Sequence, residues 1–278
     1  MSSKVPPIIL NNGVEMPQLG FGVWQVPDAE AERAVATALE AGYRSIDTAA
    51  IYGNEEGVGR AVSASGIARQ DLFITTKLWN SDQGYDSTMR AFDASLEKLG
   101  LEYVDLYLIH WPVPSRGDFV ETYRAFEKIY ADGRAKAIGV SNFLPEHLET
   151  LIAQTSVIPA VNQIELHPHL QQLAAREFHA EQGITTEAWS PLGQGKGLLE
   201  VPAIVAIGQK HNRTPAQIVL RWHIQLGTVV IPKSVTPSRI KENIEVFDFS
   251  LDTEDMAAIS ALNEDRRIGP DPATFDPS

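Results

Sequence analysis

From residue 28 onward the chain alternates between helical segments and short apolar runs of strand length, and this alternation limits the fold more than any other feature. The first helical segment sets the pattern. Ala31, Ala34, Val35, Ala38 and Leu39 recur at i, i+3 and i+4, one apolar face of a 3.6-residue period. The strand-length segments are 43–47, 72–77, 104–109, 135–140, 160–164, 184–189, 228–232 and a short last one near 246–249. Gly42, Gly66, Gly100, Gly133, Gly183 and Gly227 each follow a helical pattern, where a left-handed residue is wanted. Helix entry is marked by Asp28 after Pro27, by the capping box Thr214-Pro215-Ala216-Gln217, by Thr236-Pro237 and by Asp252.

Eight such strands alternating with helices, with no composition break in 278 residues, predict one (β/α)8 TIM-barrel domain over residues 1–278. A short N-terminal β-hairpin precedes it: Ile8-Ile9-Leu10 and Val14-Glu15-Met16 flank an Asn11-Asn12-Gly13 turn. An open doubly wound sheet is the competing arrangement, and it calls for Gly-x-Gly-x-x-Gly after its first strand. Gly20-Phe21-Gly22 lacks the third glycine and precedes every crossover unit, so it reads as a loop. The tail from Asn263, with Pro270, Pro272 and Pro277, reads as irregular chain laid over a surface.

A barrel gathers the polar residues at its C-terminal strand ends into one mouth. Asp47, Lys77 and His110 end three successive strand segments, and Tyr52 lies in a Gly-flanked turn just beyond Asp47. Asn142, Gln163, Ser190 and Lys233 take the same position on later strands. Singly, an Asp–Lys pair is usually structural and a tyrosine usually packs. Jointly, a structural account must explain four separate burials of costly groups. The set has a chemistry of its own. A phenol, with a reference pKa near ~10, is a poor proton donor at neutral pH. An ammonium at Lys77 favours its phenolate, and Asp47 keeps that ammonium charged. His110 is placed to hold or polarise a substrate oxygen. The device delivers a proton to a carbonyl oxygen. With no cysteine and no serine triad in the chain, the nucleophile at carbon is expected to be an external hydride from reduced nicotinamide.

Charge narrows the partners. A net charge of −13 argues against nucleic acid and against an anionic membrane. No apolar run approaches a membrane span, and Met1-Ser2-Ser3-Lys4-Val5-Pro6-Pro7 has no signal-peptide core, so a cytoplasmic, monomeric protein is expected. An acidic protein that binds an anion must gather cations locally. Lys233-Ser234-Val235 follows a strand and Thr236-Pro237-Ser238-Arg239 opens a helix, so amide groups and two cations face one site. That cradle suits a ribose 2′-phosphate, with Glu242 and Asn243 one turn on, within reach of an adenine edge. The plain alternative is an Arg239–Glu242 pair on an exposed face. Phe21, Trp24, Trp79 and Trp111 lie in loops at the mouth and read as a substrate wall, though rim packing also collects aromatics. His167-Pro168-His169 has no carboxylate at metal spacing and reads as a turn, so no metal is expected. His147, His179, His211 and His223 fall in helical segments, away from the site.

These motifs resemble those of the aldo-keto reductases over essentially the whole chain. The resemblance is carried by Gly42-Tyr43-Arg44-Ser45-Ile46-Asp47-Thr48-Ala49, Tyr52-Gly53-Asn54-Glu55, Gly139-Val140-Ser141-Asn142-Phe143, Asn162-Gln163-Ile164-Glu165 and Ile231-Pro232-Lys233-Ser234, in that order. It implies a catalytic tetrad of Asp47, Tyr52, Lys77 and His110 with Tyr52 as general acid, and NADPH lying extended across the barrel mouth. It also implies that Ser141, Asn142 and Gln163 hold the nicotinamide carboxamide. Trp189, where many relatives carry tyrosine, would stack on the ring, and Ser190, Leu192, Gln194 and Gly195 would follow the pyrophosphate. Asn54-Glu55-Glu56-Gly57-Val58-Gly59, Pro191-Leu192-Gly193-Gln194-Gly195-Lys196 and Leu220-Arg221-Trp222-His223 are most similar to the bacterial 2,5-diketo-D-gluconate reductases. That implies a small-molecule carbonyl substrate, either a keto-sugar acid such as 2,5-diketo-D-gluconate or a small dicarbonyl, with methylglyoxal-type detoxification as the alternative. A Schiff-base lyase using Lys77, and a nicotinamide-binding module without turnover, remain open.

Overall fold

A computed structural model describes residues 5–277; residues 1–4, the start of the stretch read for a signal, lie outside the described residues. Strands β1 (Pro7–Ile9) and β2 (Glu15–Pro17) form an antiparallel hairpin. Then come β3 (Phe21–Gly22), α1 (Asp28–Ala41), β4 (Ser45–Asp47), α2 (Glu55–Ala64), β5 (Phe73–Leu78), α3 (Tyr85–Leu99) and β6 (Val104–Ile109). The alternation continues with α4 (Phe119–Ala131), β7 (Ala135–Ser141), α5 (Pro145–Gln154), β8 (Val161–Glu165), α6 (Leu173–Gln182) and β9 (Thr185–Trp189). The chain ends through α7 (Pro202–His211), α8 (Pro215–Gln225), β10 (Val229–Val230), α9 (Pro237–Asn243) and α10 (Thr253–Ser260).

Strands β3 to β10 pair in parallel, each with its neighbour in sequence. The last meets the first: Leu19 bridges Val230 in parallel, and the amides of Gly20 and Gly22 donate to the carbonyls of Val230 (2.9 Å) and Pro232 (3.1 Å). The sheet is a closed (β/α)8 barrel.

One strand is not where the pattern predicts it. The eighth member of the barrel is β3, in the Gly20-Phe21-Gly22 segment read as a loop, and 246–249 is no strand. Two residues are too few to show an alternation. What identifies β3 is closure: a Cβ on Gly20 would lie 2.8 Å from Ser45 Oγ and 3.2 Å from Ile231 Cγ2, so only a bare backbone fits between its neighbours. Segment 246–249 instead runs outside the barrel, where Arg221 donates to the Val246 carbonyl (3.1 Å) and Arg213 pairs with Asp248 (2.6 Å).

Most helix punctuation stands as read. Gly42 ends α1 at φ 110°, in left-handed backbone. Thr214 and Gln217 cap each other reciprocally, and so do Asp252 and Asp255. Asp28 differs. Its carboxylate accepts from Gly57 N in the first turn of α2 (2.6 Å) and pairs with Arg60 (2.6 Å), so it serves the neighbouring helix and not its own.

Parity along each strand divides the side chains. Ile74 and Leu78 on β5 face outward into the layer beneath the helices, with Tyr43, Phe92, Tyr107 and Phe126. Phe73 joins Leu106, Leu108, Ala137, Val161 and Val229 inside the barrel, where Leu10 and Met16 of the hairpin close the floor. Above this apolar floor the same inward face of β5 carries Thr75 and then Lys77, so the polar centre rests on a dry base. Among the described residues no helix is long and apolar enough to cross a membrane.

Candidate active site

Lys77 is fully buried, and the reason it can be is its partners. Its Nζ donates to Asp47 Oδ1 (2.5 Å) and to the Thr48 carbonyl (3.0 Å). The register of β4 and β5 pairs Asp47 with Thr75, one inward position below Lys77, so the two side chains meet at the same level. Tyr52 belongs to a 3-10 turn (Ala50–Tyr52) that Gly53 ends at φ 65°. Asn54 fixes that turn. Its Nδ2 donates to the carbonyls of Val23 (2.9 Å) and Val26 (2.8 Å), and its Oδ1 accepts from Thr48 Oγ1 (2.7 Å). The phenol ring stands over the ammonium, with Lys77 Nζ 5.1 Å from its centroid. His110, at the end of β6, packs edge-on against Tyr52 (5.6 Å) and Trp79 (5.2 Å), while Asn142 Nδ2 holds its carbonyl (3.0 Å). The structure therefore brings Asp47, Tyr52, Lys77 and His110 together in one place.

The electrostatics correct one expectation. Burial pushes the Tyr52 phenol above its ordinary value; the Lys77 charge opposes this, and Asp47 adds to it. The ammonium moderates the rise without reversing it, so the phenol keeps its proton at neutral pH. Burial works against the charge of Lys77, but Asp47 and Tyr52 more than offset it and hold its pKa up. Burial, reinforced by the Lys77 charge, drives His110 well down, so its ring is neutral; its buried Nδ1 has no partner among the described residues.

A group that the strand-end pattern passed over lies just beneath. Glu187 on β9 is fully buried and receives a hydrogen bond from Gln163 Nε2 (2.8 Å), which also donates to Asp47 Oδ2 (2.9 Å). Its only trace in the sequence is an acid at the parity of Trp189 within the apolar run 184–189. Asn54 was passed over too, because its role is to tie loops distant in sequence.

The other predicted residues line the rim. Ser141 Oγ donates to the Gln163 carbonyl (2.8 Å), and Trp189 Nε1 donates to Asn142 Oδ1 (2.8 Å). Gln194 Nε2 donates to Ser190 Oγ (2.8 Å). Asn142 (φ 63°), Ser190 (φ 50°) and Gln194 (φ 53°) all hold left-handed backbone without being glycine, strain of the kind that collects at binding sites. Leu192 is partly buried against the core, and Gly195 is exposed beside it. Lys233, Val235 and Arg239 are exposed and Ser234 half-buried, and neither cation makes an ion pair among the described residues. Glu242 is not paired with Arg239 but accepts from Thr214 Oγ1 (2.7 Å), and Asn243 is buried.

The four aromatics expected at the mouth differ in their settings. Trp79 flanks His110, Trp111 is buried against Phe275 (4.4 Å), and Trp24 is 42% exposed. Phe21 does not belong to it: it packs edge-on against Tyr43 (5.6 Å) in the outer core and is 1% exposed. A residue on the outward face of a closing strand cannot look into the mouth. Phe275 comes from the tail, which crosses the mouth. Glu165 accepts from the amides of Ile268 (2.6 Å) and Gly269 (2.9 Å) and from His167 Nε2 (3.0 Å), and at the far end Asp276 pairs with Arg116 (2.5 Å). A Cβ on Gly269 would lie 2.5 Å from the Trp189 ring, so the tail backbone rests on that indole. His169 is engaged by Arg266 (2.5 Å). His147, His179, His211 and His223 lie on α5, α6, α7 and α8.

Known proteins resemble this chain in sequence and fold. A model of the Aldo/keto reductase family matches residues 17–264. A glyoxal reductase of Bacillus subtilis (strain 168) is 54% identical over 264 residues, 95% of each chain. A methylglyoxal reductase of Yersinia pestis is 54% identical over 271 residues, 97% of each chain. A mutant of Gox0644 solved in complex with NADPH superposes with a TM-score of 0.94 at 50% identity, over 99% of this chain and all (100%) of that one.

Proposed function

The chain belongs to the aldo/keto reductase family, and from that premise we propose that it reduces small α-dicarbonyl compounds with NADPH, Tyr52 delivering the proton. One observation carries the reading: a fully buried Lys77–Asp47 ion pair set against the Tyr52 ring, with neutral His110 on the other side. NADPH supplies a hydride to the carbonyl carbon when bound. The Tyr52 O–H bond breaks as an O–H bond forms on the substrate oxygen. Lys77 stabilises the phenolate left behind, and Asp47 keeps Lys77 charged at that moment. His110 orients the oxygen through a ring nitrogen.

The residues present fit such a cofactor. Lys233 and Arg239 are free to take its 2′-phosphate, and the left-handed turns at Ser190 and Gln194 run along the span its pyrophosphate would follow. Asn142 is hydrogen-bonded to both Ser141 and Trp189, and in this reading the three would take the carboxamide and the nicotinamide ring. Gln163 has only its Oε1 left to offer, since its Nε2 already serves two carboxylates. Glu242 and Asn243 are held by the protein itself and are the weakest members of the predicted set.

Lys77 speaks against the Schiff-base alternative, because an ammonium locked to Asp47 is not a nucleophilic amine. Two relatives named for glyoxal and methylglyoxal favour an uncharged dicarbonyl. Arg116, a cation at the mouth, is tied to Asp276 and gives a sugar-acid carboxylate no free partner, which places 2,5-diketo-D-gluconate second.

The test is a panel of glyoxal, methylglyoxal and 2,5-diketo-D-gluconate, followed by loss of reduced-nicotinamide absorbance, with Tyr52→Phe beside the wild type. Dicarbonyls should give the highest kcat/KM, and Tyr52→Phe should lower kcat at least about 100-fold with NADPH affinity nearly unchanged. A variant that keeps its kcat would overturn the proton-donor role, and preference for the sugar acid would overturn the substrate class.

A further inference from the structure

The barrel interior holds an acid that proton delivery does not use. Glu187 points inward from β9, level with Gln163 on β8 and with apolar Val229 on β10. One amide nitrogen, Gln163 Nε2, bridges Glu187 Oε2 (2.8 Å) and Asp47 Oδ2 (2.9 Å), and Asp47 carries Lys77 on its other oxygen (2.5 Å). Glu187 Oε1 is buried without a partner among the described residues.

The charge count is uneven. The titratable groups that face Glu187 are Asp47 on β4, Lys77 on β5 and Tyr52 in the turn after β4; His110 on β6 is neutral. With both carboxylates ionised, the cavity holds two negative charges and one positive charge above an apolar floor. A proton on Glu187 removes the imbalance.

We propose that Glu187 is a positioning residue of the reduction that works as a neutral carboxylic acid, anchoring the Gln163 amide against Asp47 and keeping the cavity free of net charge, so that its ionisation helps set the alkaline limit of the reaction. This rests on the proton-delivery reading of Tyr52. The direction of its titration agrees: burial and the charge of Asp47 raise the carboxyl to about 8, against the pull of Gln163 and Lys77. Above that pH a second negative charge faces Tyr52 and opposes formation of its phenolate. The same charge competes with Asp47 for Gln163 and Lys77, which loosens the group that holds the ammonium in place.

Glu187→Gln keeps an oxygen for Gln163 and cannot ionise, whereas Glu187→Leu removes the anchor. In difference infrared spectra of wild type against Glu187→Gln, a protonated-carboxyl C=O band should be present at pH 6.5 and disappear with a midpoint near pH 8. Absence of the band at pH 6.5 overturns the proposal, and this readout does not depend on turnover, so it stands apart from any failure of the Tyr52 assignment. In the reduction of glyoxal with NADPH, Glu187→Gln should match wild-type kcat within about 3-fold at low pH. Between pH 7 and 9 the wild type should lose about 3- to 10-fold more activity than the variant, the order expected of one buried charge nearby. Glu187→Leu should lower kcat at every pH with NADPH affinity retained. Superimposable pH profiles for wild type and Glu187→Gln, or equal activity of the Gln and Leu variants, would overturn the role.

Discussion

Replacing Lys77 by methionine tests the proton-delivery device at its centre. The side chain is fully buried and its Nζ lies 5.1 Å from the centroid of the Tyr52 ring. At an effective dielectric constant of about 20, a unit charge at that distance stabilises a phenolate by about 3 kcal/mol. If between a third and nearly all of that appears in the barrier, kcat falls roughly 5- to 150-fold. The substitution also leaves Asp47 buried without its counterion, a loss of about 3–5 kcal/mol of stability, so a dead variant alone would be ambiguous. The double variant Asp47→Leu/Lys77→Met resolves this. It removes both charges, and Gln163 Nε2 retains Glu187 as acceptor. It should therefore recover most of the denaturation midpoint while remaining as inactive as the single variant. Urea melts give the stability arm, steady-state reduction of glyoxal the activity arm, and quenching of protein fluorescence by NADPH confirms a formed site. A folded Lys77→Met enzyme with kcat within about 3-fold of wild type, or a double variant that regains turnover, would refute the reasoning.

Other expectations follow from single contacts. Gly20→Ala places a Cβ 2.8 Å from Ser45 Oγ at the closing seam and should cost about 1–3 kcal/mol in a urea melt; an unshifted midpoint would show that the seam is loose. Arg239→Ala should raise the Kd for NADPH about tenfold and hardly alter that for NADH, and an equal loss for both would refute the phosphate contact. Glu187 also links stability to pH. Its carboxyl titrates at about 8 in the folded chain against an ordinary value of 4.5. Between those values the unfolded chain has released the proton and the folded chain has not, so stability falls as pH rises from 4.5 to 8 and levels off above, by at most about 5 kcal/mol. Glu187→Gln should flatten that slope, its advantage in Tm over the wild type growing from pH 5 to pH 8. A constant difference across that range would contradict the buried, protonated acid.

Much of the barrel could be read before folding because its signals are local. The glycines that end α1, α3 and α6, the Thr214–Gln217 box and the apolar stripe of α1 depend on residues three or four positions apart. The strand-end positions of Asp47, Lys77 and His110 followed from segment boundaries alone, and Tyr52 from the turn beyond the first of them. The errors share a cause. β3 exists because the last strand returns to it, Phe21 faces outward because of how that strand closes, and Phe275 reaches Trp111 because the tail spans the mouth. None of these can be seen in a window of a few residues.

The sequence by itself settled the alternation, the strand ends and the chemical types gathered there, since periodicity, caps and polarity act over short range. Tertiary structure alone decided that burial outweighs the ammonium at Tyr52, and that Glu187 lies against Gln163 beside Asp47. The register and stagger of a closed barrel fix those distances, and a pKa depends on distance and desolvation, which strands far apart in the chain define only when they meet.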